Sequence, residues 1–345
     1  MRVIVLGHAD VLAALPPDAC EQAMTAVLTA HGRGETFMPL RSVMAPPGAA
    51  GFMGLMPAWR GQPGDSHHPA GGAGAGSTSA AAAFALKTVC IIPANPARGL
   101  DAHQGLVTLF DGENGQPTAI LDASAITAVR TAAVSAVATR ALARPGARTL
   151  AIIGAGTQAR AHLAALAPVR DFDRVLVYAP TAQHAQAVVR QAADQGWQAA
   201  VAPSAQAALA DADVVVTATS SREPVLQRGW LRPGAHVNAV GASTPRNREI
   251  DTATVAASAL YCDSRESLRH EAGEYALAVA EGLIDADRHV RGELGELLAG
   301  SAPGRRDDAE LTLFRSLGLA VEDLAAAETA VAAARASGLG TEVEL

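Results

Sequence analysis

"RTLAIIGAGTQARAHLAAL", residues Arg148 to Leu166, is the most informative stretch of the chain. An apolar run is followed by a turn in which Gly154, Gly156 and Ala159 have the spacing G-x-G-x-x-A, and then by a helical pattern. In dinucleotide-binding proteins the first glycine permits the tight turn, the second lets the pyrophosphate approach, and the small third residue lets helix and strand pack closely. Free N–H groups at the helix start bind the pyrophosphate. The stretch therefore predicts a strand, a phosphate-binding loop and a helix.

Short apolar runs alternate with helical patterns through the following residues. We predict strands at Thr149–Ile153, Arg174–Tyr178, Gln198–Val201, Val214–Thr217, Ala235–Val240 and Ala259–Cys262. Alternation of this kind is typical of a parallel sheet with helices on both faces. We therefore expect an α/β fold in which residues 131–309 form a Rossmann-type, doubly wound, NAD(P)-binding domain.

Residues 1–130 and 310–345 have different patterns. Asp18 to Ala30 fits an amphipathic helix, and residues 105–122 give two apolar runs joined by a Gly/Asn turn, which predicts a hairpin. Ala123 to Ala143 reads as a long helix of small residues. The tail is predicted to be rich in helix, with an apolar stripe long enough to pack on the N-terminal half. Together these segments predict an α+β domain for substrate binding and dimerisation, interrupted by the Rossmann domain.

Composition excludes several classes of protein. The 345 residues carry a formal net charge of -7 without a Lys/Arg run, so nucleic acid is not expected as a partner. No run reaches the roughly 20 unbroken apolar residues of a membrane span. Cys20, Cys90 and Cys262 are odd in number and far apart, which argues against a disulfide framework or a metal cluster. We expect a cytoplasmic protein.

A segment low in complexity, Arg60 to Ala83, is rich in Gly, Ala and Ser and is predicted to be a flexible surface loop. His67 and His68 lie within it, but no partner ligands stand at useful spacing, so no metal site is predicted.

The predicted second strand of the Rossmann domain bears on the choice of cofactor. An Asp or Glu at its end would bind the ribose hydroxyls of NAD. Ala179, Pro180 and Thr181 occupy this place, and neither an acid nor an Arg or Lys stands there. NADP and NAD both remain possible cofactors, with NADP slightly favoured. Ala155, Thr157 and Gln158 complete the predicted phosphate loop.

Motifs beyond the glycine loop point to a family. "LDASAITAVRTAAVSAVATRALARP", "VNAVGASTPRNREID" and "GELGELLAGSAPGRRDDAELTLFRSLGLAVEDLAAA", together with "FMGLMPAW" and "ALKTV", resemble the ornithine cyclodeaminase and mu-crystallin family over nearly the whole chain. This resemblance implies an NAD(P)-dependent oxidoreductase that handles an L-amino acid or its imine. The family's activities include cyclodeaminases, alanine dehydrogenases, reductases of cyclic ketimines, and NADPH-dependent ligand binding by mu-crystallins.

The resemblance implies that three cations surround the substrate carboxylate: Arg41, Lys87 and Arg130. The residues themselves agree, because Lys87 stands in an apolar run, where a lysine is costly unless paired, and Arg130 interrupts a helix of small residues. Either residue could instead belong to an internal ion pair. An arginine offers a bidentate fork to a carboxylate, and Lys87 is also the predicted proton donor at the imine nitrogen.

The family pattern also implies further cofactor contacts and a homodimer. The residues implied to line the cofactor outside the phosphate loop are Thr131, Ser220, Val240, Gly241, Ser316 and Gly318.

Two positions depart from the cyclodeaminases. Those enzymes carry an Asp where this chain has Ser243, and a Glu where it has Gly54. A preformed cyclic imine needs a hydride at carbon and a proton at nitrogen, and no carboxylate to activate a distal amine. We therefore predict a ketimine reductase acting on 1-pyrroline-2-carboxylate or a homologue, with Ser243 catalytic. A cyclodeaminase, an alanine or imino-acid dehydrogenase, and a non-catalytic binding protein are the alternatives, and Ser243 could merely cap its loop.

Overall fold

A computed structural model describes residues 1–61 and 81–345. The predicted surface loop, with His67 and His68, lies almost wholly outside the described residues. In chain order the strands are β1 Arg2–Leu6, β2 Thr36–Phe37, β3 Ser42–Met44, β4 Phe52–Arg60, β5 Ala83–Ile91, β6 His103–Asp111, β7 Pro117–Asp122, β8 Thr149–Ile153, β9 Arg174–Tyr178, β10 Gln198–Val201, β11 Val214–Thr217, β12 His236–Ala239, β13 Ala259–Cys262, β14 Val290–Glu293, β15 Thr312–Arg315 and β16 Thr341–Glu344. The α-helices are α1 His8–Ala14, α2 Pro17–Gly32, α3 Ala123–Leu142, α4 Thr157–Leu166, α5 Ala182–Asp194, α6 Ala205–Leu209, α7 Thr252–Ala257, α8 Arg265–Glu271, α9 Gly273–Ala280, α10 Leu294–Leu298 and α11 Ala320–Ser337.

The chain forms two compact units. Unit 1 comprises Met1–Arg130 and Leu319–Leu345, and unit 2 comprises Thr131–Gly318. Unit 2 runs past the expected limit at residue 309 because β15 pairs with strands of its sheet. The functions expected of the two domains stay predictions.

Unit 1 is built on a sheet with the strand order β16-β1-β7-β6-β5-β4-β2, and β3 pairs with β4. Its neighbouring strands are antiparallel except for the parallel pair β1 and β7. The predicted hairpin is present as β6 and β7. Alternate residues of β5, among them Ala85, Lys87 and Val89, are buried, whereas Phe84 faces outward. Helix α11 packs against β4, β5, β6 and α2, which confirms that the tail returns to the N-terminal half.

Unit 2 contains a wholly parallel sheet with the order β10-β9-β8-β11-β12-β15-β13-β14. All of the predicted Rossmann strands form, and the predicted doubly wound α/β fold is confirmed. The expectation of a helical tail was wrong at β15, which lies between β12 and β13. Its four residues are completely enclosed by neighbouring strands and helices, and a short buried strand has no periodicity that distinguishes it from a helix.

Helix α3 is long and apolar enough to cross a membrane by length and composition, but 78% of its most apolar 18-residue window is buried inside the protein. Such burial is the mark of a core helix. Cys20 and Cys262 are buried free thiols, whereas Cys90 is only half-buried.

Candidate active site

The glycine loop after β8 has the geometry that a dinucleotide requires. Gly154 has a φ of 120°, and a Cβ there would lie 2.4 Å from the carbonyl oxygen of Ala218, so this position accepts only glycine. Gly156 is the N-cap of α4, and a Cβ at this residue would meet nothing within 4 Å. One glycine makes the turn and the other leaves open space at a helix start, so the loop fits a pyrophosphate.

One edge of the unit 2 sheet gathers most of the predicted cofactor contacts. Because the strands are parallel, the loops that follow β8, β9, β11, β12 and β15 all leave at their carboxyl edge, and the strand order reverses between β8 and β11. The predicted residues on these loops, or in the first turn of α4 in the case of Thr157 and Gln158, are Gly154, Ala155, Gly156, Thr157, Gln158, Ala179, Thr181, Ser220, Val240, Gly241, Ser316 and Gly318. Thr131 differs, because it is buried within α3. Contact of these residues with a cofactor stays a prediction.

A buried carboxylate that the sequence analysis missed fixes two of these loops. Glu249 accepts hydrogen bonds from the backbone N–H of Thr219 at 2.6 Å, from the N–H of Gly241 at 2.6 Å and from the Thr217 hydroxyl at 2.9 Å. A Cβ on Gly241 would lie 2.1 Å from the carbonyl oxygen of Thr219, so the two loops touch backbone to backbone. Glu249 therefore sets the distance between the ends of β11 and β12.

Asp263 and Arg315 hold the loop that follows β15. One oxygen of Asp263 accepts from the N–H of Leu317 at 2.5 Å and from the N–H of Gly318 at 2.6 Å. The buried Arg315 guanidinium pairs with Glu274 and donates to the carbonyl oxygens of Ala239, Ala242 and Ser316. Charged groups thus hold the carboxyl edge in one arrangement, as preorganised binding requires.

In unit 1, the predicted proton donor lies in a buried ion pair. The ammonium of Lys87, on the inner face of β5, lies 2.6 Å from an oxygen of Asp323 on α11. The exposed fractions of the two side chains are 3% and 1%. The apolar flanks of Lys87 predicted this need for a partner, and Asp323 meets it.

Arg130, near the middle of α3, belongs to the same cluster. Its Nη1 donates to Glu322 at 2.7 Å, and its Nε donates to Asp323 at 3.1 Å. Asp323 therefore bridges Lys87 and Arg130. Both Lys87 and Arg130 are therefore members of internal ion pairs, which was the alternative to substrate binding that the sequence left open. A cation in such a pair can also contact a substrate.

Burial and charge tune the titratable groups of this cluster. Burial, with repulsion from Arg130 and Arg41, lowers the pKa of Lys87 to about 8 against the opposing pull of Asp323. Burial on its own would raise the pKa of Asp323, but Lys87 and Arg130 outweigh it and lower that pKa. Lys87 therefore holds its proton at neutral pH and loses it just above, which suits a general acid.

His103, on β6, is a further neighbour that the sequence analysis did not single out. It pairs with Ile91, so it stands on the face of the sheet that carries Lys87. Burial and then the charges of Lys87 and Arg130 lower the pKa of His103 to about 4, although Asp101 opposes this. His103 is therefore neutral at pH 7 and does not compete for an anion.

The remaining predicted residues have distinct settings. Arg41 immediately precedes β3 and is half-buried, and its charge acts on Lys87. Ser243 is half-buried two residues past Gly241, at the carboxyl edge of the unit 2 sheet. Gly54, on the inner face of β4, pairs with Val89, and a Cβ there would make ordinary contact with Val89 at 3.5 Å. Within residues 1–61 and 81–345 no group of three His, Cys, Asp or Glu side chains is arranged to hold a metal.

The sequence around Glu322 and Asp323 could have predicted these two residues as partners of the buried cations. Both residues follow the apolar run "LGLAV" and precede "LAAA", so two carboxylates stand where the helix is otherwise buried. Buried acids need cations, and Lys87 and Arg130 are the cations that the sequence offered in equally apolar surroundings.

The ornithine cyclodeaminase/mu-crystallin family model matches residues 72–337. The chain belongs to this family. It is similar to the Delta(1)-pyrroline-2-carboxylate reductase of Bacillus thuringiensis subsp. konkukian, with 38% identity over 264 residues, 76% of this chain and 81% of the relative. It is also similar to the ketimine reductase mu-crystallin of Mus musculus, with 36% identity over 295 residues, 86% of this chain and 84% of the relative.

Among solved structures, the fold matches Thermococcus litoralis Delta(1)-pyrroline-2-carboxylate reductase in complex with NADH and L-proline. The TM-score is 0.90 and the identity 33%, and the match covers 99% of this chain and 100% of the other. The predicted family and fold are therefore confirmed.

Proposed function

We propose that this protein is an NAD(P)H-dependent ketimine reductase that converts 1-pyrroline-2-carboxylate, or a related cyclic imino acid, to L-proline or its homologue. The observation that carries the proposal is the pair Gly54 and Ser243. Neither provides the carboxylate with which a cyclodeaminase moves protons at a distal amine, whereas the cationic cluster for an amino-acid carboxylate is present. Relatives named for ketimine reduction support the same reaction.

Substrate binding is assigned to Arg41, Lys87 and Arg130. Together with Asp323 and Glu322 these cations make a set of three positive and two negative charges, so one further carboxylate balances the set. An arginine fork gives the incoming carboxylate a fixed orientation. The two internal carboxylates hold the cations in place and lower the cost of burying them.

The reduced nicotinamide, when bound at unit 2, supplies a hydride to the imine carbon. Lys87 donates the proton that the nitrogen needs, so that one hydride and one proton together saturate the C=N bond. Glu249, Asp263 and Arg315 keep the loops at the cofactor edge in one arrangement, and Ser243 offers a hydroxyl that can orient the substrate or a water molecule. This hydroxyl is a poor general base, which agrees with a reaction that needs none.

We further propose a cytoplasmic homodimer. The outer face of the unit 1 sheet exposes a row of apolar side chains, including Leu55, Phe84 and Leu106. Leu55 and Leu106 both pair with Thr88 across β5, so this surface is continuous over three strands. A second copy of the chain is the partner that would cover it.

A paired assay tests the reaction. One arm follows reduced cofactor with 1-pyrroline-2-carboxylate, and the other follows ammonia with L-ornithine and oxidised cofactor. We expect one L-proline for each cofactor oxidised and no ammonia. The Lys87→Met variant should lose about 10²–10⁴-fold in kcat, while Glu328→Gln, on the same helix as Asp323, should not.

The other outcomes identify the alternatives. Ammonia from L-ornithine without net change in cofactor would mean a cyclodeaminase, and faster turnover of pyruvate with ammonia would mean an alanine dehydrogenase. Affinity for NADPH and imine without turnover would mean a binding protein.

A further inference from the structure

The end of β9 is where a Rossmann protein distinguishes its two cofactors. An acid at this point binds the ribose hydroxyls of NAD and repels the 2′-phosphate of NADP. Here β9 ends at Tyr178, Ala179 is buried, and Pro180 and Thr181 are exposed. This end is therefore neutral, and the preference depends on which charged groups reach it from neighbouring elements.

Arg160 is such a group, and its place in the fold was not apparent from the sequence around β9. It lies in α4, four residues after Gly156, and its Nη1 reaches back to the carbonyl oxygen of Ala155 at 3.3 Å. Ala155 stands between the two glycines of the phosphate loop. The guanidinium is therefore held beside the tip of that loop.

The side of α4 on which Arg160 lies is set by a second contact. The carbonyl oxygen of Arg160 accepts a hydrogen bond from Nε2 of Gln191 at 3.2 Å. Gln191 belongs to α5, the helix that follows β9. Arg160 therefore stands where α4 meets α5, the helix that follows β9. The adenosine ribose of a Rossmann cofactor lies at the end of that strand.

The charges around Arg160 favour an anion. The first turns of α4 and α5 contain no acidic residue, and none of the described carboxylates forms an ion pair with Arg160. Its contact with Ala155 is a long hydrogen bond to a neutral carbonyl, which a phosphate can replace with a charge-assisted pair. Thr181 is the N-cap of α5 and its hydroxyl makes no capping bond, so it remains available as a second donor.

We infer that Arg160 and Thr181 form a subsite for the 2′-phosphate of NADP, and that the protein prefers NADPH to NADH. The inference rests on the proposed function only in that unit 2 binds a nicotinamide dinucleotide. It adds a basic residue from α4 to the end of β9, where the sequence offered neither an acid nor an Arg or Lys and favoured NADP only slightly.

Nucleotide fragments test the subsite without turnover. Calorimetry would compare 2′,5′-ADP with 5′-AMP, two ligands that differ in the 2′-phosphate. Wild type should bind 2′,5′-ADP about 10–100-fold more tightly, the factor expected for a charge-assisted hydrogen bond. Arg160→Ala should bring this ratio close to one and leave 5′-AMP affinity within about 2-fold, and Arg160→Lys should keep part of the ratio because it retains the charge without the fork.

Arg190→Ala provides the matched control, since Arg190 is an exposed arginine of α5 well past its first turn. It removes the same charge and should leave the ratio unchanged. Thermal melting would verify that each variant folds, which the exposure of Arg160 favours.

Equal binding of the two nucleotides by wild type, or an equal loss of both in Arg160→Ala, would overturn the subsite; the latter would mean that Arg160 only braces the glycine loop. Failure of both nucleotides to bind would overturn the subsite along with the cofactor site. If the protein bound 2′,5′-ADP selectively but reduced no imine, the proposed subsite would stand and the proposed reductase activity would be refuted. In an active enzyme, kcat/KM with NADPH should fall about 10–100-fold in Arg160→Ala, and kcat/KM with NADH should not.

Discussion

The buried bridge at Asp323 yields a stability prediction whose size can be worked out. The substitution Asp323→Asn keeps the shape of the side chain and removes its charge. It deprives Lys87 of the carboxylate that lies 2.6 Å away and Arg130 of the one that accepts at 3.1 Å. Glu322 still pairs with Arg130, so the loss falls chiefly on Lys87.

Two contributions set the magnitude. In the native state the pKa of Lys87 is about 8, so its protonated form is favoured over its neutral form by on the order of 1 kcal/mol at pH 7. Without Asp323 the lysine becomes neutral at this pH and that stabilisation disappears. Loss of the charge-assisted hydrogen bond from Arg130 removes about 1.5 kcal/mol more. We expect Asp323→Asn to lower the free energy of unfolding by about 3 kcal/mol at pH 7, near the low end for a broken buried pair.

The pH dependence of this loss is the sharper test. At pH 9 Lys87 is already mostly neutral in the wild type, because its pKa lies near 8. The contribution from its proton is then absent from both proteins, and the loss should shrink to about 1.5 kcal/mol, the value of the Arg130 bond alone. Equilibrium urea unfolding at the two pH values, followed by circular dichroism, measures the difference.

Glu328→Gln is the matched control on the same helix. Glu328 pairs with Arg60 at 2.7 Å, but the two side chains are 31% and 17% exposed. Its removal should cost no more than about 1 kcal/mol, with no difference between pH 7 and pH 9. The account of the cluster would be refuted if Asp323→Asn lowered the free energy of unfolding by less than about 1 kcal/mol, or by the same amount at pH 7 and pH 9.

Three further predictions concern activity, loop geometry and assembly. For imine reduction, kcat/KM should fall above pH about 8 as the Lys87 ammonium loses its proton. The remaining activity of Lys87→Arg should not show this fall, because a guanidinium does not titrate in that range. The same fall in the variant would mean that another group causes it. Glu249→Gln should raise KM for the cofactor and lower stability by about 1–3 kcal/mol, since an amide has one acceptor oxygen for three donors; cofactor titration and urea unfolding measure the two effects, and an unchanged KM would deny the positioning role. Leu106→Glu, at a position that is 52% exposed, should convert a dimer to monomers in light scattering, and a persisting dimer would place the interface elsewhere.

The parts of this protein that local pattern predicts are those whose physical causes are local. The glycine loop was predicted in full because Gly154 needs its positive φ whatever surrounds it. The Rossmann strands were predicted because strands buried on both faces read as unbroken apolar runs between helices. The strand β15 was missed because four buried residues show no period of their own.

The site was predicted only in part for a related reason. Lys87 and Arg130 were recognised as misplaced charges, but the residues that pair with them are at least 192 positions away and no local pattern connects them. Arg160 likewise comes beside α5 only in the folded chain, where its carbonyl oxygen accepts from Gln191. Charge in an apolar setting is readable from sequence, whereas the identity of its partner requires the fold.

The divided sequence of unit 1 has a consequence for its synthesis. Asp323 follows Arg130 by 193 residues, which corresponds to about 10–40 s of translation. Meanwhile the continuous segment Thr131–Gly318 can complete its own sheet. The inner face of β5, which includes Lys87, stays uncovered until α11 has left the ribosome and can pack on it. The cluster of Lys87, Arg130 and Asp323 can therefore form only after the last helix has been synthesised, and until then the nascent chain carries this surface uncovered.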